Sequence, residues 1–319
     1  MIEELNAIAN IPLLSVLTMV VVIFLEKIIP WPDKTHPLTL LHSMAQAMAA
    51  KVHKDVSNPP AQQKISGTLA IVVLSLPVVF VIAVVLFFAE FAFFFEGLLL
   101  LVALRFQPTL EASKKIQNAL LKRKKALARY ELSRWTLRET ESLSEMGICK
   151  ATIETLVLRF SYEYMSVIFW YLVGGGIAAF VYRFIYEMSQ VWNIKMTQYT
   201  HFGRPVSWLS LILNWIPVRL TAVLFMIAVN ISKAIKALTK QKGAASGHTL
   251  LLTLFGGALD VQLGGPAYYN KRKIRLPKCG GINSPELGDI SRARLGILQS
   301  TAVFLAVVAL VSAGIISLR

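Results

Sequence analysis

The sequence predicts an all-α fold: a polytopic, integral membrane helical bundle of about 4–6 membrane segments, with room for re-entrant helices. Three observations carry that prediction. Of the 319 residues 55% are hydrophobic, mean hydropathy is +0.58, and the apolar residues gather in blocks, which soluble domains avoid. Several blocks approach the roughly 20 residues that a helix needs to cross a bilayer. Lys and Arg concentrate between the blocks, twelve of them from 105 to 163 and eleven from 233 to 295.

Taken in order, residues 11–29 form the first span. It follows the acidic start Met1-Ile2-Glu3-Glu4, where a cleaved signal peptide would be basic. A polar segment covers 30–65. Residues 67–105 are almost wholly apolar and as one helix would extend about 60 Å, twice the hydrocarbon thickness. They are therefore read as a helical hairpin turning near Glu90 to Glu96. Residues 106–163 are basic, and 110–148 read as one amphipathic helix with Ile116, Leu120, Leu127 and Tyr130 on a shared face. Such a helix suits either the anionic inner leaflet or a wall that attracts anionic substrates.

Residues 164–186 are apolar around Gly174-Gly175-Gly176, and 205–232 are apolar around Pro205, Pro217 and Arg219. Each can cross the membrane or break at its Gly or Pro residues and re-enter. A basic loop, 233–295, leads to the last span at 296–317. Positive residues mark the cytoplasmic side. They place the N-terminus outside, the loops 30–65, 106–163 and 233–295 inside and the C-terminus outside, in a single membrane domain, 1–319.

The net charge of +15 reports these loops. No nucleic-acid module accompanies it, so no nucleic-acid partner is expected. Cys149 and Cys279 fit no zinc spacing and are expected to be reduced thiols. The five histidines show no metal-type clustering.

Chemistry concentrates at 251–293, where Gly264-Gly265-Pro266, Tyr268-Tyr269, the cations Lys271, Arg272, Lys273 and Arg275, and Asp289 near Arg292 stand together. Gly264-Gly265 can bring backbone N–H groups to a phosphate, and glycine-proline runs also simply make turns. Arg219 inside an apolar segment is either functional or snorkels to the interface.

This region resembles the C-terminal signature of the adenosylcobinamide-phosphate synthases, the CobD/CbiB family of cobalamin-biosynthesis membrane proteins. The family pattern G-A-L-x-V-x-L-G-G-P-x-x-Y is met by Gly257-Ala258-Leu259, Val261, Leu263 to Pro266 and Tyr269, and D-I-x-R-A by Asp289-Ile290 with Arg292-Ala293. Upstream, R-D-T corresponds to Arg138-Glu139-Thr140 and A-T-V-E-T to Ala151-Thr152-Ile153-Glu154-Thr155. H-P-V appears as His36-Pro37-Leu38, and later blocks keep Tyr182, Lys195, Tyr199, Phe202-Gly203, Asn214, Ile216-Pro217 and Arg219 to Ala222. Arg183 replaces a lysine. Family carboxylates are replaced where D-G becomes Tyr162-Glu163, N-T-L-D-S becomes Tyr186 to Gln190, and R-L-D-D becomes Trp208 to Leu211.

The resemblance implies an ATP- and Mg²⁺-dependent ligase in the bacterial inner membrane that joins adenosylcobyric acid to aminopropanol phosphate. It implies catalytic roles for Arg138, Glu154 and Arg219. Contacts to substrate or cofactor are implied for His36, Thr140, Lys195, Tyr199, Gly264, Gly265, Tyr269, Asp289 and Arg292. A corrinoid or other anionic small molecule on the cytoplasmic side, and the lipid bilayer, are the expected partners. The missing carboxylates leave a second reading open: a non-catalytic relative that senses or modulates, as in the similar ampicillin-resistance modulator family.

Overall fold

A computed structural model describes residues 2–29, 31–32, 34–241 and 246–317, without the side chains of 2–13, 315 and 316. In chain order the helices are α1 (Ile2–Ile28), α2 (Pro37–Val52), α3 (Pro60–Phe88), α4 (Ala92–Ala103), α5 (Gln107–Leu121), α6 (Lys125–Ser133), α7 (Glu145–Arg159), α8 (Ser166–Val191), α9 (Arg204–Leu213), α10 (Trp215–Val229), α11 (Ile231–Lys240), α12 (Gly247–Leu259) and α13 (Leu287–Ser317). A π-helical turn, Phe160–Met165, precedes α8, and strands β1 (Gln262–Tyr269) and β2 (Arg272–Gly280) lie between α12 and α13.

The fold is the expected all-α polytopic membrane bundle. Among the described residues, Pro60–Phe88, Ala92–Leu121, Glu145–Val191 and Leu287–Gly314 are long and apolar enough to cross a membrane, and the broken pair α9–α10 adds a fifth candidate. Most of α3 is not covered by protein, with Leu69, Val73, Leu76, Phe80 and Phe87 exposed on successive turns. A surface of that size is stable only against lipid. The turn expected near Glu90 to Glu96, inside the second apolar run, falls at residues 89–91, between α3 and α4. Part of the first expected span lies outside the described side chains.

The described chain divides into two compact units, 1–105 with 163–214, and 106–162 with 215–319. The first contains α1 to α4, α8 and α9. Its core joins Leu38, Leu41 and Ala45 of α2, Ala70 and Leu74 of α3, Phe180, Phe184 and Met188 of α8, and Trp192, Phe202 and Val206. Trp192 Nε1 donates to the carbonyl of Ala45 at 3.0 Å, so the indole is buried with its donor satisfied. α8 is two helical halves, because Gly174 and Gly175 leave helical geometry and Gly175 has φ +68°. Only glycine takes that conformation freely. The backbone of Glu96 packs so closely there that a Cβ on Gly176 would sit 2.8 Å from its Cα.

The second unit contains α5 to α7, α10 to α13 and the two strands. Rings of Phe106, Phe160, Phe225 and Phe255 follow one another through its core, with centroid separations of 5.4, 5.4 and 4.5 Å. The single helix expected over 110–148 is corrected: α5 ends at Leu121 and α6 starts at Lys125. Arg123 has φ +55°, which no α-helix continues. Accordingly Ile116 and Leu120 are buried while Leu127 and Tyr130 are exposed.

The basic segment 233–295 is also no plain loop. It holds α11, the buried helix α12 and an antiparallel hairpin in which Tyr269 pairs with Arg272. The two hairpin residues, Asn270 and Lys271, have φ +47° and +62°. Two-residue hairpin loops favour that left-handed geometry because it matches the strand twist.

Candidate functional site

Within the second unit, α7 presents Lys150 and Glu154 one turn apart, hence on one face. Ser144 starts this helix by accepting the Gly147 N–H at 3.1 Å. Glu154 has two anchors. Its Oε1 accepts the N–H of Gly264 at 2.7 Å, and its Oε2 accepts Arg138 Nη1 at 3.2 Å. The two side chains are only 14% and 11% exposed. In so little water a charge-assisted pair is strong in place, and either charge alone is costly.

The Arg138-Glu139-Thr140 segment is strung along the hairpin. Glu139 N–H donates to the carbonyl of Tyr268 at 2.9 Å, and its carboxylate accepts the Lys271 N–H. Thr140 is buried beside it, and Tyr269 is buried on β1. The register of β1 and β2 slips between Gly264 and Pro266, so Gly265 sits in a bulge. Both glycines have positive φ, +73° and +87°. A Cβ on Gly264 would meet the Pro277 carbonyl at 2.1 Å, and one on Gly265 would lie 3.3 Å from Lys150 Nζ and 3.7 Å from Lys278 Cγ.

Three cations, Arg138, Lys150 and Lys278, thus surround a glycine bulge that carries one carboxylate. Arg138 Nε is buried with no hydrogen-bond acceptor. A buried donor in that state is costly and marks a place where an acceptor belongs. The excess of positive charge selects an oxyanion. Cys279, on β2, contributes no nucleophile: burial pushes its thiol up to about 11, so it stays protonated near neutrality. Both cysteines are free, and both are buried.

The donor set does not suit a resident Mg²⁺. That ion takes carboxylate and phosphate oxygens. Among the described residues no three His, Cys, Asp or Glu side chains gather as a metal site would need, and both oxygens of Glu154 are engaged.

Other sequence-predicted residues have other partners. Asp289 and Arg292 join α12 to α13. Asp289 accepts the Glu286 N–H at 2.9 Å and Arg292 Nη1 at 2.7 Å. Arg292 Nη2 in turn caps the Leu259 carbonyl at 2.8 Å, a C-terminal acceptor of α12. Arg219 folds back on its own helix, giving Nη1 to the Trp215 carbonyl at 2.6 Å with its guanidinium 4.1 Å from the Trp215 ring centre.

His36, Lys195 and Tyr199 belong to the first unit. His36 caps α2, accepting the Leu38 N–H on Nδ1 at 3.1 Å. The Lys195 N–H donates to Asn193 Oδ1 at 3.0 Å. Tyr199 packs against His53 and Phe202.

The first unit also holds an ion centre made of residues outside the candidate site set. Arg183, 3% exposed, lies 3.8 Å from Glu163 and 3.1 Å from Glu187, and His42 Nδ1 is 2.7 Å from the other oxygen of Glu187. Glu163 and Glu187 both sit inside blocks where family carboxylates are replaced. Nearby, Asn214 accepts Ser166 Oγ at 3.0 Å and the Tyr182 hydroxyl at 2.8 Å, which fixes the end of α9.

No solved structure matches this chain. Sequence relatives do. It is 26% identical over 283 residues to a cobalamin biosynthesis protein CobD of Chromobacterium violaceum, covering 88% of this chain and 91% of that protein. A protein of the same name from Leptospira interrogans is 24% identical, with 78% and 81% covered. One from Brucella anthropi is 30% identical over about half of each chain, 49% and 51%. The family model described as CobD/Cbib protein matches residues 19–295. The residues that build the Glu154 cluster fall inside that match, and the chain belongs to the CobD/CbiB family.

Proposed function

We propose that this chain acts in cobalamin biosynthesis, in the bacterial inner membrane, by binding a phosphorylated anionic substrate at Arg138, Lys150 and Lys278 for the family's amide-forming step. One observation carries the reading. Arg138 is mostly buried, neutralised on one side by Glu154, and its Nε is buried with no hydrogen-bond partner. A phosphate or carboxylate oxygen completes it. ATP fits the same chemistry through its phosphates, held directly by cations. No step is assigned to Mg²⁺, because the donor set does not suit it. The density of Lys and Arg in 106–163 and 233–295 supports a cytoplasmic position for this site, with the N-terminus outside.

The test is growth. The chain is expressed in a strain that lacks its own synthase and must make cobalamin from early precursors. Rescue by the native chain, lost with Arg138→Ala and Lys150→Ala at normal membrane levels, supports the ligase reading. Absence of rescue with a normal membrane level sinks it and leaves the non-catalytic sensor, which the missing metal-type carboxylates favour. In a parallel measurement, ATP without Mg²⁺ protects the purified protein against heat, since a ligand of the folded state raises apparent stability.

A further inference from the structure

We propose that α11 is an in-plane interfacial helix, seated at the headgroup boundary of an anionic leaflet. The helix has 10 residues, about 15 Å, half of the hydrocarbon thickness. It cannot span. It follows α10 after a single extended residue, Asn230, at φ −163° and ψ 103°, whose side chain caps the new helix by accepting the Lys233 N–H at 2.9 Å. The chain therefore ends one helix and starts another.

Three faces of α11 differ sharply. Ala234 and Ala237 are buried against α12, where a Cβ on Gly257 would stand 2.4 Å from that of Ala237. Ile231, Ile235 and Leu238 are 47%, 44% and 38% exposed, and their spacing puts them on one stripe. Lys233, Lys236 and Lys240 lie on the opposite side and are exposed. Nothing in the second unit covers the Ile-Ile-Leu stripe among the described residues. In the chain it follows the exposed apolar residues of α10, Ile216, Leu220, Val223 and Ile227, at the same three- and four-residue spacing.

A protein partner would have to take the α11 stripe directly after a helix whose exposed apolar face suits lipid. The bilayer is the occupant that satisfies both. Helices with lysine on one face and aliphatic side chains on the other lie in the membrane plane, apolar face down, and lysines add attraction to anionic headgroups. The seat has a reach beyond α11. Through the Gly257–Ala237 approach it fixes α12, whose end leads directly into the Gly264-Gly265 bulge.

The test uses the full chain in vesicles with a nitroxide label on Ile235→Cys or on Lys236→Cys. The native thiols are buried and the new sites exposed. Oxygen partitions into lipid and a nickel chelate into water. The proposal expects oxygen to relax position 235 more than nickel does, with the order reversed at 236. Nickel dominance at both sites overturns it, and so does protection of 235 from both reagents, the mark of a protein cover. A second arm combines Lys236→Glu with Lys240→Glu and leaves Lys233, which pairs with Asp260 at 3.3 Å. In phosphatidylglycerol vesicles the pair lowers oxygen access at 235, and in phosphatidylcholine vesicles it leaves access unchanged. An equal effect in both lipids removes the anionic preference.

Discussion

Glu154 answers to two partners at once, a backbone N–H and a guanidinium, and that is why its environment is sensitive. Glu154→Ala leaves Arg138 buried without its counter-charge, and breaking such a pair costs about 3 kcal/mol. Glu154→Gln keeps an acceptor for Gly264 and loses less. Denaturation of the detergent-solubilised protein, compared with Arg138→Ala and the double variant, checks this. The double variant should cost less than the sum, because both changes remove one interaction. Glu154, Arg138 and the glycines were legible in the sequence because they stand in motif blocks. Lys150 was not, although it lies four residues before Glu154 on what proved to be one helix. The spacing was there to read, but the helix boundary that gives it meaning was hidden in a longer basic stretch.

Cys279 adds a pH dependence at the same scale. Burial is the first cause that pushes its thiol up to about 11, from an ordinary value of 9.0. The folded state therefore holds the proton more tightly than the unfolded chain. The contribution is fully present below pH 9 and is lost as pH rises through about 11. Unfolding measured at pH 7 and at pH 10.5 should show a larger loss for the native chain than for Cys279→Ala, and alkylation of this thiol should be slow at pH 7. An equal pH response of both proteins would contradict the assignment.

At the scale of elements, apolar helices announced themselves and the basic ones did not. A bilayer-facing helix such as α3 needs only composition and length to be recognised. The break between α5 and α6 depends on one residue, Arg123, in left-handed geometry, which neither periodicity nor composition reveals. The hairpin was hidden for a similar reason. Its loop is Asn270-Lys271, not the Asn-Gly pair that usually signals such a turn, and β2 exposes most of its side chains.

Glycine positions explain how these elements close. Gly257 lets α11 and α12 touch, so Gly257→Leu should cost about 1–3 kcal/mol through overpacking. It should also loosen the bulge downstream. Gly264→Ala has a harsher local conflict, with positive φ and a carbonyl 2.1 Å from the new Cβ. A lower midpoint in thermal unfolding and a loss of heat protection by ATP for both variants would bear this out. A Gly264→Ala protein with native stability would show that the bulge is softer than its geometry requires.

At the scale of the whole molecule, the sequence left open whether residues 164–186 cross the membrane. Contacts inside the first unit, taken with the charge pattern of the loops, predict a re-entrant path for α8. Its C-terminal half and the segment after it are tied to α2 three times: His42 to Glu187, Trp192 to the Ala45 carbonyl at 3.0 Å, and His53 Nε2 to the Gln198 carbonyl at 2.7 Å. The polar segment that contains α2, 30–65, is assigned to the inside by its charges, and so is 106–163, from which α8 starts. With both segments inside, as the charge pattern predicts, both ends of α8 belong to one side. A straight helix of 26 residues would carry its ends about 39 Å apart. A re-entrant path needs a break, and helical geometry fails at Gly174-Gly175, beside Gly176 and the Glu96 backbone packed on it. Thr197 is exposed, so Thr197→Cys reports the side directly. An impermeant maleimide should leave it unlabelled in intact cells and label it after permeabilisation. Labelling in intact cells would instead make α8 a full crossing and would put residues 187–204, with Lys195 and Tyr199, outside.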